Sequence, residues 1–240
     1  MNIKLNCVML INQEIENPDI RKNSSQKMLL LVRKNTLELP YSKIDSNDDI
    51  KEQIRCVLVN AVGNDNFHLE QVYTMGDKKY FSSGLDIIHL AACNITNIKK
   101  LNPNYELVEI SIIGNNLCLG KDKYNYKTIE KIGHNIEYSF QIKAPSIEHE
   151  KTFVEILTAW KHLRRKLNDS DIIFKFLPTE FTLEDVRSVY HLITEKNIDK
   201  SNFHKKIAKY CTELDKKRTN CGYRPSKMYK FNLKQGDLWL

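Results

Sequence analysis

The chain has 240 residues, 41% of them hydrophobic and 28% charged, with a formal net charge of +7. That length accommodates one large or two modest domains with a real core. No apolar run is long enough to span a bilayer, and the polar N-terminus lacks a secretory cleavage pattern, so no membrane-spanning helix and a cytoplasmic location are expected. The six cysteines are scattered without a CxxC pair, so free thiols in a reducing compartment are expected.

Residues 1–145 read as an α/β domain. Cys7 to Ile11 and Met28 to Val32 are continuous apolar runs, the mark of strands buried on both faces. Leu37 and Leu39 lead into Pro40 and a polar loop. From Asn47 to Val62 the period becomes helical, with Ile50, Ile54, Val57, Leu58 and Ala61 on one stripe and Gly63 as the stop. Glu70 to Met75, Leu85 to Ala92 and Leu107 to Ile113 are further strands. The stretch 115–144 reads as an inserted hairpin or an extra edge strand.

Pro145 marks a boundary. A long helix is expected from Ser146, with Phe153, Ile156, Leu157, Trp160, Leu163 and Leu167 on one face. Residues 146–170 are therefore assigned either to packing on their own domain or to a connector that also supports a dimer. Lys161, Arg164, Arg165 and Lys166 fill its last turns, where cations suit the helix dipole.

Residues 171–240 hold the most informative pattern. Thr182 is an N-cap with Asp185 as its capping-box partner, followed by Leu183, Val186, Val189, Tyr190 and Ile193 at helical spacing. Ser201 is the expected cap of a second helix. There, Phe203, Ile207, Ala208, Tyr210 and Cys211 share one side, and Asn202, Lys205, Lys206 and Lys209 the other. An apolar back with an Asn/Lys front is what a helix-turn-helix places in the major groove, where Asn can pair with adenine and Lys can reach guanine or phosphate. His204 falls toward the packed side. A basic hairpin follows, with Lys216, Lys217, Arg218, Arg224, Lys227 and Lys230, a turn at Asn220 and Gly222, and the alternating Met228 to Phe231. Helix, helix and basic hairpin make a winged helix, for which double-stranded DNA is the expected partner. A zinc site from His204, Cys211 and Cys221 is the lesser alternative.

The N-terminal order, with Glu38-Leu39-Pro40, Gly63 and Leu69 to Asp77, resembles the Nudix fold. Aligning Gly63 with the closing glycine of the Nudix box puts Cys56 and Val57 at the Arg-Glu positions and Asn60 and Ala61 at the Glu-Glu positions. The early glycine falls on Ser42 and the isolated glutamate on Asp48. In active Nudix hydrolases those carboxylates hold magnesium beside a pyrophosphate. Their replacement implies no catalytic residue, no metal and no cofactor. Asp48, Asp49 and Glu52 are better read as acids at a helix N-terminus.

Together, Asp199 to Ile207 (DKSNFHKKI) and Arg224 to Phe231 (RPSKMYKF) resemble the recognition helix and wing of the Nudix-related transcriptional regulators, the NrtR-like proteins, although Tyr223 departs from the usual Gly-Arg-Pro. The resemblance implies an α+β architecture, in which an N-terminal Nudix-like α/β/α sandwich is joined to a C-terminal winged helix-turn-helix. It also implies a bacterial, homodimeric regulator, usually a repressor, on a palindromic operator. Its effector would be a nucleotide such as ADP-ribose or a sugar. Ser201, Asn202, Lys205, Lys206, Lys209, Lys216, Lys217, Arg218, Arg224 and Lys227 are the expected DNA-facing residues, with Arg224 directed to the minor groove. Arg33, Tyr41, Tyr73, Asp77 and Lys79 flank the expected effector cleft. Two rival readings are a divergent pyrophosphohydrolase acting on ADP-ribose-like substrates and a winged helix that contacts protein.

Overall fold

The computed structural model describes residues 3–15, 25–44, 49–76, 78–80, 84–131, 137–168, 170–219 and 225–232. Its centre is β1 (Ile3–Ile15), antiparallel to β2 (Ser25–Arg33) and parallel to β5 (Leu85–Asn94), with Leu10 opposite Leu30 and Val8 opposite Leu90. A short β3 (Tyr41–Lys43) caps the start of β1, Tyr41 lying opposite Asn6. Helix α1 (Ile50–Val62) lies on one face, where Leu5, Cys7, Met9 and Ile11 meet Ile54, Leu58 and Ala61. Helix α2 (Ile147–Lys166) covers the other, where Val8 and Leu10 meet Phe153, Ile156, Leu157 and Trp160. Because both faces of β1 are covered, its side chains are apolar at odd and even positions alike.

The sheet continues outward through β4 (His68–Met75) on one side and β6 (Tyr105–Ile113) on the other. Beyond β6 the 115–144 stretch supplies β7 (Asn116–Leu119), β8 (Asp122–Lys131) and β9 (Glu137–Ile142). It is thus a three-strand extension of the sheet, larger than the expected hairpin or single strand. The α1 boundaries have clear causes. Asp49 caps the helix by accepting from the amides of Lys51 and Glu52 at 2.8 and 3.0 Å, which moves its start from the expected Asn47 to Ile50. At the other end Gly63 is left-handed at φ 69°, and a Cβ there would stand 3.1 Å from the Lys100 amide nitrogen.

The expected apolar face of α2 is buried in full, together with Val154, Glu155, Thr158 and Ala159. The helix is therefore a layer of the sandwich rather than chiefly a connector. Its Arg164 donates from Nε to the Ile193 carbonyl at 2.6 Å and pairs with Glu195, whose other oxygen accepts from the Gly114 amide. A one-turn helix α3 (Ile172–Lys175), absent from the sequence reading, follows. Just past it, the Phe176 carbonyl accepts from Asn12 and Asn94 at 3.0 and 2.9 Å.

Helix α4 (Leu183–Thr194) carries the full capping box. The Thr182 amide donates to Asp185 at 2.7 Å and the Asp185 amide to Thr182 Oγ1 at 3.2 Å. All five residues of its expected apolar stripe are buried. Helix α5 (Lys200–Ala208) is capped by Asp199, not Ser201, through a 2.8 Å bond from the Asn202 amide. It ends at Ala208, so Tyr210 and Cys211 leave the expected helical face. Cys211 instead opens β10 (Cys211–Arg218), which pairs antiparallel with β11 (Ser226–Phe231). Phe181 bridges Tyr229 and adds a third short rung to this hairpin. Among the described residues no helix is long and apolar enough to cross a membrane, and the described cysteines are all free thiols.

Candidate nucleic-acid interface and ligand cleft

Two buried side chains fix the orientation of α5. Phe203 packs on Tyr190 of α4 with ring centroids 5.5 Å apart, and Ile207 is fully buried. This turns Ser201, Asn202, Lys205, Lys206 and Lys209 outward, all exposed. Among the described residues the last three lysines make no ion pair, which leaves them to a polyanion. His204 sits between the helices, 3.5 Å from Glu184, and burial lowers its pKa despite that carboxylate. Glu184 is already held by Arg187 and Lys200.

The hairpin divides its cations into two groups. Lys217 is exposed without an ion pair among the described residues, while Lys216 and Lys227 make surface pairs with Glu180 and Glu213 at 2.9 and 2.6 Å. Such pairs are worth little and yield easily to phosphate. Arg218, expected at the DNA, is placed elsewhere. Its guanidinium lies 2.9 Å from Glu14 of β1 and 3.1 Å from Asp185, so it ties the hairpin to the sheet and to the α4 capping box. Burial raises the pKa of Asp185, opposed by its bonds to Thr182 and by the Arg218 charge. Arg218→Ala is therefore expected to cost about 1–2 kcal/mol of stability, measured by urea unfolding, with an unchanged salt dependence of DNA binding. Arg224 and Cys221 lie outside the described residues, and the zinc reading falls there with Cys221.

The N-terminal domain holds a cleft of about 260 Å³ lined by residues that include Lys4, Asn6, Glu38, His149, Lys151 and Glu155. At its floor Asn6 Nδ2 donates to Asp86 at 2.7 Å and to Glu155 at 2.8 Å, and Lys151 Nζ is 2.5 Å from Asp86. Both carboxyls are 2% exposed. Burial, then the hydrogen bond and charge of Asp86, push the Glu155 pKa up, which favours its protonated form. At the rim Lys4 pairs with Glu38 at 3.3 Å and stands 3.8 Å over the Tyr41 ring, and Arg33 reaches Glu38 and the Tyr41 hydroxyl, each at 3.3 Å.

The structure thus brings together Arg33 and Tyr41 of the expected effector set. Tyr73 is on the edge strand β4 and does not line this cleft, and Lys79 pairs with Glu150 of α2 beside it. Asp77 lies outside the described residues. Sequence reading missed Asn6, Asp86 and Glu155. Their signal was a polar residue inside an otherwise apolar strand or helix face, which a buried site requires and a plain core avoids.

On α1 the positions aligned with the Nudix box carry exposed Cys56 and Asn60, half-buried Val57 and buried Ala61. Asp49 is spent on the helix cap and Asp48 is outside the described residues. Among the described residues no group of three or more His, Cys, Asp or Glu is placed to hold a metal.

A mixed sheet between helices with a helix-helix-hairpin unit defines an α+β protein, a Nudix-like sandwich bearing a winged helix. Residues 173–231 match the family model of the NrtR DNA-binding winged helix domain. Over 96% of its length the chain superposes on Shewanella oneidensis NrtR, solved with a 27mer DNA, at a TM-score of 0.64 and 14% identity, covering 93% of that chain. A second Shewanella oneidensis NrtR structure gives 0.63 at 15% identity, with 96% of this chain and 94% of that one covered. A MutT/nudix family protein from Enterococcus faecalis gives 0.62 at 16% identity, with 96% and 88% covered. At these identities the likeness establishes the fold. No curated protein matches the chain.

Proposed function

We propose that the protein is a transcriptional regulator, a repressor acting as a homodimer on a palindromic operator, whose Nudix-like domain senses a small molecule instead of hydrolysing one. The observation that carries this reading is the two-sided α5, with Phe203 and Ile207 buried and Asn202, Lys205, Lys206 and Lys209 exposed. Asn202 and Lys205 would read bases. Lys206, Lys209, Lys216 and Lys217 would hold phosphates, with Ser201 and Lys227 at the margins and Arg224 in the minor groove.

The cleft supports a sugar-type effector over an ADP-ribose-type one. Lys4 and Lys151 are each paired with a carboxylate of the same site, which leaves little charge for a pyrophosphate. Amide, carboxyl, imidazole and hydroxyl groups suit a polyhydroxylated ligand. Hydrolysis is disfavoured because Cys56, Val57, Asn60 and Ala61 stand where magnesium-binding carboxylates would be needed.

Selection of bound duplexes from a random DNA pool tests the reading. An enriched palindrome whose binding weakens steeply with salt is expected. Failure to enrich any sequence, or magnesium-dependent cleavage of ADP-ribose by the same preparation, would overturn it.

A further inference from the structure

A groove of about 630 Å³ runs between the sandwich and the winged helix. One bank is formed by Lys51 and Arg55 of α1 with Phe67 beside β4. The other is formed by Lys175 of α3 with Lys230 and Phe231 of β11. Its charge is one-sided, since four cations line it and no Asp or Glu does among the described residues. The ion pairs of Lys175 and Arg55 are with near neighbours in the chain, Asp171 at 3.5 Å and Glu52 at 4.0 Å, worth little in water, and Arg55 also donates to the Asp65 carbonyl at 3.3 Å. Lys51 and Lys230 are exposed and make no ion pair among the described residues.

Two further features point to an anion with an aromatic part. Lys51 stands in the first turn of α1, where the helix dipole disfavours a cation. Asp49 already takes the helix-end amides, so the Lys51 side chain is what an anion would meet there. The groove also presents half-buried aromatic rings. Arg55 lies 5.4 Å over Phe67, and Phe231 is stacked on Phe174 at 4.1 Å. The size falls within the usual range for small-molecule sites, and the charge is opposite in character to that of the carboxyl-lined cleft.

We propose that this groove is a second ligand site, taking a small aromatic anion of the nucleoside diphosphate class across the boundary between the two domains. The site lies at the base of the hairpin, where Lys230 is opposite Thr212 and Phe231 opposite Cys211, whereas the connecting turn is at the other end beyond Arg218 and Ser226. A phosphate backbone tracking the wing tip does not account for aromatic lining at the base. A ligand touching both banks favours one relative placement of the domains and so biases the winged helix.

The test is calorimetric titration of ADP and of inorganic pyrophosphate into the full chain, without DNA, so its outcome is independent of operator binding. The wild type is compared with the Lys51→Ala/Lys230→Ala double variant and with Tyr41→Ala at the rim of the cleft. Saturable ADP binding tighter than pyrophosphate binding is expected, weakened about tenfold or more by the groove variant and unchanged by Tyr41→Ala. The altered side chains are exposed, so folding is retained. No ADP binding, or a loss caused by Tyr41→Ala and not by the groove variant, would overturn the proposal. So would a groove variant that leaves ADP binding intact but makes the salt dependence of DNA retention shallower, which would make the groove a DNA track.

Discussion

Asn202→Ala is expected to weaken binding to a selected operator by about 1–3 kcal/mol per half-site and to relax the base preference at one position of each half. The Lys206→Ala/Lys209→Ala variant should differ in kind. It should weaken all duplexes alike and make the plot of log affinity against log salt shallower by about two per protomer, because each lost phosphate contact leaves one fewer counterion to release. Both changes sit on the exposed side of α5, opposite Phe203 and Ile207, so thermal unfolding should be unchanged. Competition binding over a salt series against scrambled duplexes separates the two signatures. If neither variant alters DNA binding while both remain folded, α5 does not read DNA, and the protein-contact reading of the winged helix takes its place.

The second large effect belongs to the buried carboxyl pair. Glu155 has its pKa raised by burial and by Asp86. Below the unfolded-state value of a glutamate, folded and unfolded chains both hold the proton. Above it, the unfolded chain releases the proton while the native chain keeps it. Stability contributed by this group therefore falls as pH rises through that window, and levels off above the native value. Glu155→Gln keeps an acceptor for Asn6 and places an amide donor toward Asp86, as the protonated acid does, but it cannot ionise. The variant should match wild type near pH 4 and exceed it at pH 8.5 by on the order of 2–3 kcal/mol, as read from urea unfolding at both pH values. A variant less stable at both, with the wild-type pH slope, would show that Glu155 is ionised in the fold.

These two predictions mark the division between what was legible in the chain and what was not. Periodicity and local chemistry determined the recognition unit. Thr182 with Asp185, the spacing from Leu183 to Ile193, and the separation of Phe203 and Ile207 from the lysines are properties of a single helix or its cap, and the structure shows them as read. Gly63 ended α1 for the same local reason. The cap at Asp199 instead of Ser201 and the early end of α5 were missed, because several residues near a terminus can satisfy the same free amides.

Only the tertiary structure decided the sites assembled from distant segments. Asn6, Asp86 and Glu155 lie 80 and 149 positions apart along the chain, counted from Asn6, and no spacing rule links them. Arg218 looked like a phosphate anchor among wing lysines, yet Glu14, distant in sequence, holds it against the sheet. The groove between Lys51 and Lys230 exists because two domains are docked through contacts such as Asn12 and Asn94 on the Phe176 carbonyl. Helix identity follows from neighbours a few residues away, which the sequence displays directly. The pairing of a charge depends on what packs against it, and that is settled only when the chain has folded.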